Sequence, residues 1–518
     1  MCLPDLQGLT MKYYKTTKNA GFVGRTYWLQ RLERIDKKNE ASVIVIYGRR
    51  RVGKTELIEQ FFHGRNILKF GGIQPNRKVR ANSIKEQKKQ INECLRRLGK
   101  YAQKEHEYKY IKIDQWSEFF EILTPYVENN DVVLYFEEIQ WLANYQDDFL
   151  AQLKPFWDDI YRKNKRLRIV LCGSSPSFVV GQFMTNTAFY NRSESLIHLP
   201  PFDLMETNAF LSPKGPREVM LAAITTGGIC EYLKQIKGEP SIYSGLCNKS
   251  FEPTSFFSVE CDKVFVSTLS ENKYYRKIID LLANRKFADQ KGIYRAVVPG
   301  KINSKKGHPG GSFTLLLDDL ESLGFISKYR PIDTKQNTTG LARYCISDEY
   351  LHFYFKFIKP KIQAINSGQY INNPLSAVNT RDFAIVMGFS FERWCRKNER
   401  ILARILNFGN VEYKAGPFFN RRLTSDIPGF QIDLMFIRKD SKIIVCEMKY
   451  FDGKVPLKIN KDVEDKIALF INHNPKYKNY TFEKALITTE GTQEFLKDRE
   501  FFDYIITFDD IFNSAYWN

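Results

Sequence analysis

The feature that most constrains this chain is the stretch of residues 43–55. Five apolar, mostly β-branched residues lead directly into the pattern Gly48-x-x-x-x-Gly53-Lys54-Thr55, and a helical run begins at Glu56. Strand, glycine-bounded loop and helix in this order are typical of a phosphate-binding P-loop, because the loop amides and the helix N-terminus point at phosphate oxygens. The residues expected to line the phosphates are Gly48, Arg49, Arg50, Arg51, Val52, Gly53, Lys54 and Thr55.

A second apolar stretch completes the expected nucleotide site. Residues 131–136 predict a strand that ends in the acids Glu137 and Glu138. In P-loop enzymes the lysine reaches the terminal phosphates, and the P-loop hydroxyl and the first acid hold Mg²⁺. We therefore expect Lys54 on phosphate, Thr55 and Glu137 on Mg²⁺, and Glu138 polarising the attacking water. The alternative is a strand that simply ends in solvent-facing acids.

Alternating strands and helices from residue 43 to 172 predict a parallel α/β sheet. Its further strands are expected at 67–70, 110–113 and 167–172. Ser174 and Ser175 follow the last of these, at the carboxyl edge where open α/β sheets bind ligands. Either serine is expected to sense the terminal phosphate, with an ordinary polar turn as the alternative.

Composition narrows the class of protein. The length of 518 residues predicts several domains, and the formal charge of +19 favours polyanions, so DNA is an expected partner. Nine cysteines without a C-x-x-C pair are typical of reduced thiols in a cytoplasmic protein rather than of a zinc site. No apolar run approaches roughly 18 residues, which predicts no membrane span.

Residues 263–335 have the pattern of a winged helix. Helices are expected at 273–284, 290–297 and 313–323, followed by a short hairpin. The third helix would enter a DNA groove, yet Asp318, Asp319 and Glu321 would present acids to a phosphate backbone. A winged helix that binds a protein partner is therefore an equally open alternative.

A second group of candidate site residues, two acids and a lysine, lies near the C-terminus. A hairpin is expected between strands at 430–437 and 443–449, turning at 439–441. If it pivots on Asp440, Asp433 stands across from Glu447, and Lys449 shares a face with Glu447. Two acids can bind Mg²⁺, and a lysine can orient a hydrolytic water. A buried structural ion pair remains the alternative.

These motifs together resemble the prokaryotic "archaeal ATPase" family, a branch of the AAA+/STAND P-loop ATPases. The residues that carry the resemblance are Phe22-Val23-Gly24-Arg25, the P-loop, Glu137-Glu138-Ile139-Gln140, Cys172-Gly173-Ser174-Ser175, Tyr190-Asn191-Arg192, Leu199-Pro200-Pro201-Phe202 and Gly227-Gly228-Ile229-Cys230. The resemblance implies ATP as the nucleotide and a helical lid. It also implies a phosphate contact for Arg192, with a purely structural arginine as the alternative.

The C-terminal constellation resembles the PD-(D/E)xK nuclease fold, as in the DUF234-type region of that family. Glu392 matches the helix acid, Asp433 the central acid, and Glu447-x-Lys449 the E-x-K motif. The resemblance implies Glu392, Asp433 and Glu447 as metal ligands. An inactivated nuclease fold is the alternative.

We therefore expect an α/β protein that binds ATP and Mg²⁺, hydrolyses ATP, and carries a nuclease-like domain acting on or near DNA. The alternative function is a nucleotide-gated scaffold or switch, and an oligomer is left open. The expected regions are a poorly ordered leader at 1–21, a P-loop ATPase core at 22–200, a helical lid at 201–262, a winged helix at 263–335, a helical connector and linker at 336–379, and a restriction-endonuclease-like α/β domain at 380–518.

Overall fold

The N-terminal part of the chain is a parallel α/β sheet. A computed structural model describes residues 11–74, 84–144, 148–185, 193–268, 273–285, 287–298, 311–330, 332, 342–420, 429–450, 453–456, 459–493 and 501–517. Five parallel strands stand in the order β2-β3-β4-β1-β5. They are β1 Ser42–Tyr47, β2 Ile67–Gly71, β3 Val133–Glu137, β4 Arg168–Gly173 and β5 Ser193–His198.

Helices cover both faces of this sheet, as its apolar strands require. They are α1 Thr26–Asp36, α2 Lys54–Phe61, α3 Ile84–Tyr101, α4 Glu105–Tyr108, α5 Trp116–Val127, α6 Ile139–Leu142, α7 Asp148–Asp159 and α8 Pro176–Val180. Along β1, Val43 and Val45 face one buried core, and Ile44 and Ile46 face the other.

One expectation for this part of the chain is wrong. Residues 110–113 form no strand, because Tyr110 is 67% exposed and a strand inside a parallel sheet has both faces covered. Residues 11–21 contact the sheet and α2. There Tyr14 forms a β-bridge with Ile67, and the Thr16 hydroxyl donates to the Glu59 carbonyl at 2.9 Å. Residues 1–10 lie outside the described part.

A helical segment follows the sheet and leads into a second, smaller α/β unit. The helices are α9 Leu204–Leu211, α10 Pro216–Thr226, α11 Cys230–Lys237, α12 Ile242–Asn248, α13 Phe256–Thr268, α14 Lys273–Ala283, α15 Gln290–Val297, α16 Gly311–Ser322, α17 Glu349–Phe353 and α18 Ile362–Asn366. Three short strands, β6 Ala288–Asp289, β7 Ile326–Tyr329 and β8 Arg343–Ile346, pair antiparallel in the order β6-β8-β7. Because β8 pairs with both others, this sheet extends past residue 335.

The C-terminal part is a separate five-stranded mixed sheet in the order β13-β12-β11-β10-β9. Its strands are β9 Tyr413–Asn420, β10 Phe430–Arg438, β11 Lys442–Lys449, β12 Thr481–Thr488 and β13 Tyr504–Ile506. Its helices are α19 Thr380–Lys397, α20 Glu399–Ile405, α21 Ile459–His473 and α22 Phe508–Ile511.

The register expected for the C-terminal hairpin is confirmed. Leu434 pairs with Cys446 and Ile437 pairs with Ile443, as a pivot at Asp440 requires. The observed pairing ends at Leu434 and Cys446, and one further step in the same register would place Asp433 opposite Glu447.

The buried cores divide the molecule into two bodies. The parallel sheet has its own cores, one on each face. A third core is continuous from Leu204 in α9, through the helical segment and the small sheet, to Ile511 near the C-terminus. The helical segment that begins at α9 therefore shares a buried core with the C-terminal sheet.

Two findings bear on the class of protein. Within the described residues, no helix is long and apolar enough to cross a membrane. The eight cysteines in that part of the chain are all unpaired thiols.

The junction between the two bodies predicts a strong glycine requirement at residue 228. Gly228 is buried with φ +72°, and a Cβ there would lie 2.1 Å from the Phe202 carbonyl oxygen. Gly228→Ala should therefore lower the free energy of unfolding by about 2 kcal/mol or more. Thermal denaturation followed by circular dichroism measures this.

The matched control is Gly238→Ala. Gly238 ends α11 with φ −81°, and a Cβ there would meet no atom within 4 Å. Its melting midpoint should stay within the error of the wild type or rise slightly. Equal midpoints for the two variants would contradict the strained junction.

Candidate functional site

The P-loop has a backbone that requires its two glycines. Gly48 leaves β1 with φ +151°, and a Cβ there would lie 2.3 Å from the carbonyl oxygen of Leu199. Gly53 has φ +88° and immediately precedes α2. The loop therefore turns tightly between strand and helix, with the helix N-terminus at its end, as phosphate binding requires.

Lys54 folds back over this loop. Its side chain is buried, and Nζ donates to the carbonyl oxygens of Gly48 at 2.8 Å and Arg49 at 2.9 Å. An ammonium has three donors, so one remains for a phosphate oxygen. Lys54 lines a cavity of about 1160 Å³ together with the rest of the P-loop, both acids, Arg25, Cys230 and residues of α13. A cavity of this size is large enough for a nucleotide.

The two residues expected to hold Mg²⁺ are in direct contact. The Thr55 hydroxyl donates to Oε1 of Glu137 at 2.5 Å, and the Tyr135 hydroxyl donates to the same oxygen at 3.1 Å. Lys69 Nζ lies 3.4 Å from Oε2. Burial raises the pKa of the Glu137 carboxyl, but Lys69 and the two hydroxyls outweigh burial, so the pKa lies below its usual value.

These residues fit a magnesium ion. Thr55 and Glu137 provide hard oxygen donors, and Mg²⁺ in nucleotide sites takes one or two such ligands beside phosphate oxygens and waters. Within the described residues no group of three or more Asp, Glu, His or Cys side chains is arranged to hold a metal. A two-ligand site beside a nucleotide does not need such a group.

Glu138 is held apart from Glu137 by its backbone. Its φ of +55° turns the chain directly after β3, so the two neighbouring acids point differently. Glu138 Oε2 accepts hydrogen bonds from the Ser174 hydroxyl and from Gln140, both at 2.6 Å. Arg50 lies 3.3 Å from Oε1. Ser174 therefore contacts the expected catalytic acid, whereas the backbone carbonyl of Ser175 accepts from Val179 at 3.0 Å.

The other two P-loop arginines reach the second body. Arg49 forms an ion pair with Asp348, the N-cap of α17, and lies over the Phe325 ring at 4.7 Å. Arg51 lies 2.8 Å from the buried carboxylate of Glu260 in α13, at an angle that is not that of a hydrogen bond. The P-loop is thus in contact with α13 and with the N-terminus of α17. Arg192 lies outside the described residues.

Two further contacts close the pocket. Arg25 donates to the Val52 carbonyl at 2.8 Å and lies 3.4 Å from Glu206 in α9. The Cys230 thiol at the start of α11 donates to the same carbonyl at 3.2 Å. Sequence motifs had singled out Arg25 and Cys230, but not Glu206, Glu260 or Asp348. Asp348 is an N-cap and Glu206 belongs to a capping box, but these patterns predict helix starts and not contacts with the P-loop region. Glu260 lies inside α13 and gives no local signal.

One family model matches the N-terminal part of the chain. Residues 22–236 match the model of a family described as an ATPase domain predominantly from Archaea.

Two proteins of Methanocaldococcus jannaschii are similar to the chain. An uncharacterised protein is 24% identical over 436 residues, 84% of this chain and 88% of its own. An uncharacterised ATP-binding protein is 50% identical over 46 residues, 9% of this chain and 78% of its own.

Solved structures resemble the chain more distantly. A Walker-type ATPase of Pyrococcus abyssi has 15% identity and a TM-score of 0.46, covering 66% of this chain and 98% of its own. The ORC2 protein of Aeropyrum pernix, in complexes with ADPNP and ADP, has 12% identity and a TM-score of 0.41, covering 69% and 97%.

The C-terminal sheet holds the second candidate site. Glu447 is buried, with Oε1 2.7 Å from Lys449 and Oε2 2.7 Å from Lys466 in α21. Burial raises the pKa of its carboxyl, but the two lysines outweigh burial and the pKa is lowered. The Gln431 side chain donates to Asp433. Both oxygens of Glu447 are thus occupied by lysines.

Glu392 in α19 completes this cluster. Burial and the nearby Asp433 carboxylate raise its pKa to about 7, against the partial opposition of Arg396 and Lys449. The sequence-predicted residues Glu392, Asp433, Glu447 and Lys449 therefore influence one another electrostatically. Lys466 was missed, because a lysine on an amphipathic helix gives no signal of the strand that it will face.

The raised pKa of Glu392 predicts a pH-dependent stability. The unfolded carboxyl ionises near its ordinary pKa, whereas the folded one keeps its proton up to pH 7. Folding therefore loses stability as pH rises between those two values. Glu392→Gln removes this loss and should gain about 1–3 kcal/mol over wild type at pH 8 and almost nothing at pH 5.

Thermal denaturation at pH 5 and pH 8 measures this gain. The exposed Glu412 is the control site, and Glu412→Gln should give no gain that grows with pH. A Glu392→Gln gain of the same size at both values would contradict a buried carboxyl that titrates late.

Proposed function

We propose that this protein binds MgATP in the cavity at the P-loop and hydrolyses it. The observation that carries the proposal is the contact between the Thr55 hydroxyl and the Glu137 carboxylate, beside the buried Lys54 and adjacent to Glu138. The adenine nucleotide is favoured by the ATPase-domain family of residues 22–236 and by the short ATP-binding relative. No side chain by itself selects adenine.

Each residue of the proposed ATP site has a separate role in hydrolysis. The third donor of Lys54 binds an oxygen of the terminal phosphates, and the P-loop amides bind the others. Thr55 and Glu137 hold Mg²⁺, which when bound neutralises charge that develops on the phosphates. Glu138 orients the attacking water and accepts its proton. Ser174 and Gln140 fix the carboxylate of Glu138 in place.

Nucleotide state is proposed to move the second body relative to the first. Lys54 and a bound Mg²⁺ would contact a terminal phosphate that only a triphosphate supplies, so ATP and ADP would differ in these contacts. Two P-loop arginines support the coupling, because Arg49 contacts Asp348 and Arg51 contacts Glu260 in the second body. A shift of the loop would therefore change contacts with both α13 and α17.

Substitutions in the P-loop test the proposal. Lys54→Ala should weaken ATP binding at least about 100-fold, because it removes the charge beside the phosphates. Glu138→Gln should bind ATP as the wild type does and lose turnover about 100-fold or more. Isothermal titration calorimetry and phosphate release measure the two effects.

The control is Lys37→Ala, at a largely exposed lysine whose ion pair is with Glu33. It should change neither binding nor turnover. Unchanged ATP affinity in Lys54→Ala would contradict the proposed nucleotide site.

A second candidate function is metal-dependent phosphodiester cleavage at the C-terminal cluster. Its support is the convergence of Glu392, Asp433, Glu447 and Lys449. The observation that favours the rival, an inactive nuclease fold in a nucleotide-gated scaffold, is that lysines occupy both oxygens of Glu447. A metal at Glu447 would have to displace one of them.

The winged-helix region remains a proposed DNA or protein contact. Two of the three acids on α16 are engaged internally: Asp319 accepts from the Tyr275 hydroxyl at 2.7 Å, and Glu321 accepts from the Lys328 amide at 2.9 Å. Asp318 is exposed. Both hydrogen bonds come from neutral donors, so they leave the negative charge that α16 would present to a DNA backbone.

A cleavage assay decides between the two C-terminal alternatives. Plasmid and single-stranded DNA are incubated with wild type and Asp433→Ala, with Mg²⁺ and with a chelator. Nuclease function predicts Mg²⁺-dependent cleavage that Asp433→Ala lowers about 100-fold or more. Asp462→Ala, at an exposed acid on α21, is the control and should cleave as the wild type does. No cleavage by the wild type, or equal cleavage by wild type and Asp433→Ala, would contradict the nuclease function.

A further inference from the structure

We propose that Lys69 is a positioning residue that fixes the orientation of the metal-binding acid Glu137. The inference rests on the proposed ATPase function, because it concerns the same site. Lys69 lies on β2, beside β3 in the sheet, and its residue pair is Tyr135. Nothing in the sequence motifs singled it out.

Lys69 joins the P-loop helix to the acid. Its Nζ lies 3.0 Å from Oε1 of Glu59 and 3.4 Å from Oε2 of Glu137. Glu59 is four residues after Thr55, so both lie on one face of α2. Lys69 is only 19% exposed, and an ion pair away from water is weakened less by salt and solvent than a surface pair.

The surroundings hold Lys69 in place. Its Nζ lies 5.4 Å from the centre of the Tyr14 ring and 5.2 Å from that of Tyr135, within the range of cation–π attraction. The Tyr14 hydroxyl donates to the same Glu59 oxygen at 2.9 Å. The N-terminal segment of residues 11–21 thus contributes one wall of this lysine site.

The two oxygens of Glu137 have separate partners. Oε1 accepts from Thr55 and Tyr135, and Oε2 faces Lys69. Rotation of the carboxylate would break contacts on both sides at once. Lys69 therefore leaves Oε1 directed at the Thr55 side, where Mg²⁺ would be held.

The separate partners of the two Glu137 oxygens account for glutamate at residue 137, where most P-loop enzymes have aspartate. An aspartate on the same backbone would end one carbon earlier, roughly 1.5 Å short. It could not reach Thr55 and Lys69 together. Glu137 and Lys69 therefore act as a pair, and the effect of changing one depends on the other.

A double-mutant cycle tests the pair. Lys69→Met and Glu137→Asp should each lower the Mg²⁺-dependent kcat about ten- to hundredfold, since each misplaces the carboxylate. The double variant should be no slower than the slower single variant, because the contact is already lost. Lys69→Arg, which can still bridge Glu59 and Glu137, should retain most of the activity. Losses that multiply in the double variant would overturn the inference.

A binding readout separates this inference from the ATPase proposal. Calorimetry gives the ratio of the ATP Kd without and with Mg²⁺ for each variant. Lys69→Met should lose most of the enhancement by Mg²⁺ and keep the Mg²⁺-free Kd. Lys88→Met, at a lysine paired with Asp114, is the control and should keep both the enhancement by Mg²⁺ and the Mg²⁺-free Kd. If the wild type binds MgATP but does not turn it over, the hydrolysis proposal fails while this ratio still decides the role of Lys69. If Mg²⁺ tightens ATP binding by Lys69→Met as much as it does for the wild type, the role proposed for Lys69 is wrong.

Discussion

The hydrogen bond between Thr55 and Glu137 joins the two halves of the site. Thr55 is the second residue of α2 and Glu137 is the last residue of β3, 82 positions later in the chain. The parallel pairing of β3 with β4, and of β4 with β1, brings the two together at one edge of the sheet. The P-loop, the paired acids and the cavity become one site only because this sheet order holds.

The nucleotide site lies between the two bodies that the separate buried cores define. The parallel sheet has its own buried cores, whereas the helical segment that begins at α9 shares a core that continues to the C-terminal sheet. The cavity is lined from both bodies, since Lys54 belongs to the first and Glu260 to the second. Contacts across it include the ion pairs of Arg49 with Asp348, Arg51 with Glu260 and Arg25 with Glu206, and the uncharged hydrogen bond from Cys230 to the Val52 carbonyl. A nucleotide in this cavity would therefore touch both bodies at once.

The parts that sequence alone predicted are those with a local signal. The acids after β3 and the hairpin around Asp440 follow from strand periodicity, and the P-loop follows from a strand and two spaced glycines. The strand expected at 110–113 was wrong because alternating residues also suit a segment lying on the surface. Lys69, Glu260 and Lys466 were missed because their partners are far away in sequence. Only the packed sheet and helices bring such pairs together.

One titration tests the central claim, that Thr55, Glu137 and Lys54 form a nucleotide site with a metal beside the phosphates. Wild-type protein is titrated with ATP by isothermal calorimetry, first with a chelator and then with Mg²⁺. The account predicts one binding event per chain that Mg²⁺ makes tighter. Absence of binding under both conditions, or an affinity that Mg²⁺ does not change, would contradict it.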